Sequence, residues 1–127
     1  MQRESIDQLG ELLWNSGKEM SDASVQLRQA IRDHYKAKMA YIEARHTWEV
    51  FMVTGMYEGW IEGKNAEARS GHAISLNPDA WAELCRTEQI SIGTESNLKV
   101  SQILWEEIER QISLYDSTIK LGSLVSG

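Results

Sequence analysis

A chain of 127 residues with one proline is free to be helical almost throughout, and the place of that proline decides where it is not. Proline inside a helix removes a hydrogen bond and clashes with the preceding turn. Here it stands at Pro78, directly after Asn77 and before Asp79. That order reads as a helix start: asparagine caps, proline takes the first position, and a carboxylate follows where the helix dipole favours it. A second turn signal, Gly63-Lys64-Asn65, lies shortly before it, with Glu67 in the first turn of a helix that Asn65 would cap. Elsewhere Ala, Leu, Glu, Gln, Lys and Arg are plentiful, which favours helix. The expected fold is all-α: a long antiparallel helical hairpin with a short N-terminal helix and a short helix at the tip, assembled into an oligomer.

The chain reads as a single helical domain, residues 1–127. A short N-terminal helix occupies 1–17, with Ile6, Leu9, Leu13 and Trp14 near one face and Asn15-Ser16-Gly17 as a break. The first arm is expected over 19–62, ended by Gly63, the tip over 63–77, and the second arm over 78–121, with Gly122–Gly127 as a frayed tail. Leu27, Ile31, Tyr35, Met39, Ile42, Val53, Met56 and Trp60 form one apolar stripe on the first arm, expected to be buried. Ala30, Ala37, Tyr41, Ala44, Trp48 and Phe51 form a second. One partner helix covers one stripe, so the other calls for the leading helix or a second copy. On the second arm Leu84, Leu98, Trp105, Ile112 and Ile119 share a seven-residue repeat that Ser91 interrupts, the pattern of a coiled-coil seam. Ile90 to Thr94 is its weak point, where β-branched residues and Gly93 allow a kink.

Charge bounds the partners. A net charge of −6 argues against direct nucleic-acid binding, which needs surplus cations to displace counterions. It suits a basic protein surface. Along the arms, Arg28, Arg32, Lys36, Lys38 and Arg45 are expected beside Glu106, Glu107, Glu109 and Asp116. Cys85 stands alone, so no intrachain disulfide and no cysteine-based zinc site is expected. No basic-then-apolar leader is read in Met1–Trp14, and the most apolar run, Val50–Val53, is far too short for a membrane span.

Catalytic frameworks are not found: the chain has no Gly-x-Ser-x-Gly and no Gly-x-x-x-x-Gly-Lys-Ser/Thr, and no cofactor is expected. Glu43 and His46 have the Glu-x-x-His spacing of di-iron bundles. As metal ligands they are weak candidates, because no second such motif exists unless a symmetric dimer supplies it. A surface glutamate beside a half-exposed histidine is the simpler reading. The glycines at 55, 59 and 63 recur at helical spacing and suit close backbone approach. Trp48, Phe51, Tyr57, Trp60 and Trp81 concentrate near one end, and aromatic residues dominate interface hot spots. With Asn65 and Arg69 they are the candidate partner-binding or interface residues; Tyr57 and Trp60 are those expected to reach outward.

Gly63-Lys64-Asn65-Ala66-Glu67-Ala68-Arg69, following a long helix, resembles a group of small helical proteins of bacteriophages and prophages that share a Gly-Lys-Asn-Ala-Glu-x-Arg hairpin tip. Ala68 departs from the acidic residue commoner there. The resemblance implies a phage origin, and the lone Cys85 suits the reducing cytoplasm of a host cell. Taken with the missing catalytic framework, the resemblance leads to a non-catalytic accessory protein acting by stoichiometric binding. Its expected target is a host antiviral defence component, either a protein or a small nucleotide signal. The alternatives are a partner of the phage recombination or replication machinery and a ferritin-like metal-binding oxidase.

Overall fold

The computed structural model describes residues 3–126, which form three helices with no strand among them. Helix α1 spans Arg3–Glu58, α2 spans Ala66–Leu76 and α3 spans Pro78–Ser126. Helices α1 and α3 pack against each other as the arms of an antiparallel hairpin, as the turn signals require. Their contacts group into two compact units: one joins the chain up to Arg32 with the chain from Ser96 onward, the other is Asp33–Glu95.

Within the Asp33–Glu95 unit, the covered positions of α1 are His34, Ala37, Tyr41, Ala44, Trp48, Phe51 and Gly55, with Met52 beside them at the tip core. They alternate by three and four residues, as a heptad seam does. Leu84, Thr87, Ser91 and Thr94 continue that spacing on α3, so Ser91 belongs to the seam rather than interrupting it. The other unit follows the same rule, with Ser16, Met20, Ala23, Leu27 and Ala30 on α1. Leu98, Trp105, Ile108, Ile112 and Ile119 lie among its covered positions on α3.

The arms therefore meet along the alanine-rich stripe. The bulkier stripe, from Ile31 through Tyr35, Met39, Ile42, Val53 and Met56 to Trp60, is exposed, against expectation. Ala30 and Ala37 are each only 8% accessible. Small side chains let two backbones approach closely and fill the space between them with dispersion contacts. Large side chains at the same positions would hold the helices apart.

Three boundaries also differ from expectation. Helix α1 runs unbroken through Asn15-Ser16-Gly17, so no separate N-terminal helix exists. Ser16 is a buried seam position at 5% accessibility, and packing there outweighs a weak local propensity. Leu9 and Leu13 are half-covered, Trp14 is 68% exposed beside Lys18, and the Ile6 side chain lies outside the described residues. The first arm ends at Gly59, not Gly63: Gly59 has φ +81°, a left-handed conformation that suits glycine. Helix α3 continues through Gly122 to Ser126; the last residue of the expected tail, Gly127, lies outside the described residues.

No break occurs at Ile90–Thr94. The Thr94 hydroxyl donates to the Ser91 carbonyl at 3.0 Å, so His34 Nδ1, 3.1 Å from the same oxygen, is its donor partner. This bond between α1 and α3 is a polar tooth in an apolar seam, a device that fixes register. Of the cations expected beside the acidic end of α3, Arg28 and Arg32 share its unit and the other three do not. Lys36, Lys38 and Arg45 belong to one unit, whereas Glu106, Glu107, Glu109 and Asp116 belong to the other. Arg45 pairs instead with Glu49 on its own helix, at 3.1 Å.

Which stripe carries the packing is testable by denaturant unfolding. Ala37→Leu overfills the seam and is expected to lower stability by about 1–3 kcal/mol. Met39→Gln, on the exposed stripe, is expected to change it by less than about 0.5 kcal/mol.

Candidate functional site

The hairpin tip is built from one small core. Trp48, Ile61, Ala73 and Leu84 are its buried members, joined by Phe51, Met52, Ile74 and Trp81. Ala73 is wholly inaccessible. The rings form a chain: Trp81 lies 5.2 Å from Trp48 between centroids, Trp48 lies 5.4 Å from Phe51, and Phe51 lies 4.9 Å from Trp60. All three contacts are tilted, as ring quadrupoles favour.

Glycine shapes the tip at two close approaches. A side chain at Gly55 would collide with Ile61 and Trp60, which fold back over the end of α1. A Cβ at Gly63 would sit 2.5 Å from the Arg69 amide nitrogen, so Gly63 lets the first turn of α2 close onto the loop. The helical spacing of the glycines is thus only partly helical in meaning: Gly55 is in α1, and the other two shape the loop.

The loop backbone is held by both flanking helices. Ile61 N–H donates to the Gly55 carbonyl at 3.1 Å, and Glu62 N–H donates to His72 Nδ1 at 2.8 Å. Asn65 caps α2, its Oδ1 accepting from Ala68 N–H at 2.8 Å. Arg69 donates from Nη1 to the Gly63 carbonyl at 3.4 Å, rather than reaching Glu58 or Glu62. Glu58 instead accepts from Trp60 Nε1 at 2.9 Å. Asn77 closes α2 and opens α3, its N–H donating to Ala73 and its Oδ1 accepting from Ala80 N–H at 3.2 Å.

These contacts sort the candidate interface residues. Trp48, Phe51 and Trp81 are spent on the intramolecular core, because they occupy seam or core positions. Asn65 and Arg69 brace the turn. Tyr57 is 92% exposed in the last turn of α1, and Trp60 is 37% exposed with one side on Phe51. His72 is the side chain that ties α2 to the loop, and only the fold brings it to Glu62.

A second feature of the Asp33–Glu95 unit is an open groove of about 690 Å³ between α1 and α3, lined among others by Lys38, Ile42, Arg45, His46, Glu88 and Ile92. Glu49 holds the Arg45 guanidinium above its usual value, first by hydrogen bond and then by charge. On α3, the hydrogen bond from Arg86 holds the Glu83 carboxyl below its usual range. The stability from that pair is therefore present above the ordinary carboxylate pKa and lost as pH falls through the lowered value. Glu43 and His46 are both exposed. Among the described residues no group of three or more His, Cys, Asp or Glu side chains is placed to hold a metal. Cys85 is exposed, and no helix of the described residues is long and apolar enough to cross a membrane.

Comparison with known protein families, curated proteins and solved structures gave no match to this chain.

The division of labour at the tip predicts two different losses by thermal or denaturant unfolding. Asn65→Ala removes a cap and is expected to cost about 1 kcal/mol. Trp48→Ala empties the tip core and is expected to cost about 3–5 kcal/mol.

Proposed function

We propose that this protein is a non-catalytic phage accessory protein that acts by stoichiometric binding through the hairpin tip, and that its target is a protein component of a host antiviral defence. The observation that carries this reading is Tyr57, 92% exposed at the end of α1 and flanked by the half-packed Trp60. An aromatic side chain on a braced backbone loses little conformational freedom on binding, which favours it as an interface anchor. Around it the loop is already ordered by the His72, Asn65 and Arg69 contacts. The net charge of −6 favours a basic protein surface as the target. Phage origin and the defence target rest on the resemblance of Gly63–Arg69.

Titration against a susceptible defence system tests the reading. Inhibition is expected to rise linearly and saturate near one binding unit per target. Tyr57→Ala is expected to weaken binding by about 2 kcal/mol, or roughly thirtyfold, with unfolding unchanged within about 0.5 kcal/mol. Full and progressive inactivation by trace protein would instead mark an enzyme.

A further inference from the structure

Two packed helices form one layer, and a layer with an apolar face calls for another to cover it. In the Asp33–Glu95 unit the groove between α1 and α3 has such a face. Ile42 and Ile92 line it, 47% and 50% exposed. Tyr35 lies one seven-residue step from Ile42 along α1 and Met56 two steps the other way, with Glu49 between, and both are exposed. The same face carries Lys38 and the mutually paired Arg45 and Glu49 on α1, and Glu88 on α3, which leaves one cation on α1 and one carboxylate on α3. Among the described residues neither Lys38 nor Glu88 makes an ion pair within its own chain.

We infer that this face is a homodimer interface, in which α1 of one copy lies over α3 of the other in a four-helix bundle. Charge and register commit the occupant to a second copy. His34 faces Thr94 and Trp48 faces Trp81, so Glu88 lies level with a point between Lys38 and Arg45. A two-fold axis parallel to the helices keeps each residue at its own level while setting α1 over the copy's α3. Glu88 of each copy then meets the Lys38–Arg45 segment of the other, twice over, and Ile42 lies level with Arg86 and Thr87 of the copy. The alternative of α1 over α1 sets no carboxylate of α3 against Lys38. The area suits a weak dimer. From Tyr35 to Phe51, level with the start of α3, the two-helix face is about 25 Å long at 1.5 Å per residue. Two helices make it about 20 Å wide, giving about 500 Å² per copy, below the roughly 800 Å² per partner of a standard interface.

Charge reversal in two separate variants, followed by mixing, tests the pairing by sedimentation. The full chain is expected to be dimeric at micromolar concentration. Lys38→Glu alone and Glu88→Lys alone are each expected to weaken the dimer about tenfold, because each sets like charges across both symmetric contacts. An equal mixture of the two variants is expected to recover the original affinity. In the mixed dimer both contacts between copies join Glu to Lys, whereas within each copy positions 38 and 88 still carry like charge. Recovery therefore reports a contact between copies and not one inside a chain. Circular dichroism of each variant should match the unaltered protein, as both sites are exposed. A monomeric unaltered protein, a variant that dimerises as well as the original, or a mixture no tighter than its components would each overturn the inference. None of these outcomes bears on Tyr57, which lies outside the groove.

Discussion

The approach of α1 to α3 over alanine is the contact on which the rest of the molecule depends. Ala37 and Ala44 are a heptad apart on one side of the Asp33–Glu95 seam, with Thr87, Ser91 and Thr94 opposite. Apart from Tyr41 and His34 these seam side chains are short, so dense packing of backbone and short side chains contributes much of the contact. Such a seam has little natural preference for one register over another. His34 and Thr94 supply that preference, because a displaced pairing would strand a half-buried imidazole and hydroxyl.

Where the small residues stop, the large ones begin. Trp48, Leu84 and Ile61 fill the tip end, and Ala73 of α2 is pressed against them. The change from an alanine seam to an aromatic core explains why the loop is so closely specified. Gly55 leaves room for Ile61, Gly59 turns the chain, and Gly63 admits α2. Each of these is a steric requirement of the core below it. The exposed Tyr57 thus stands on backbone that is ordered for structural reasons.

Close packing over alanine also leaves the larger apolar side chains outside. Tyr35, Met39, Ile42, Val53 and Met56 are exposed because they lie off the face of α1 that meets α3. This is the surface that the proposed second copy would cover in part. On the groove side, unpaired Lys38 and Glu88 add a charge pattern that is complementary to itself. The fold thus separates two surfaces, a braced aromatic tip and a mixed apolar and charged groove.

Much of the architecture was legible along the chain. Asn65 and Asn77-Pro78 mark helix starts through local capping chemistry, which needs no tertiary partner, and both caps form as read. The long arms follow from the lack of breakers. Other features depended on distant contacts. Asn15-Ser16-Gly17 has low helix propensity, yet Ser16 is drawn into a buried seam position, and no local signal carries that information. Periodicity identified two apolar stripes on the first arm but not which one faces α3, since hydrophobicity favoured the bulkier and close packing favoured the smaller. The roles of Trp48 in the core and Tyr57 outside it followed from the same choice. His72 became part of the site only because α2 folds back onto the loop. The sequence by itself determined that this protein is a pair of long helices joined through a capped tip, because caps and breakers act within a turn or two. Only the tertiary structure decided which faces meet and which remain for partners, because that depends on how near two backbones can come.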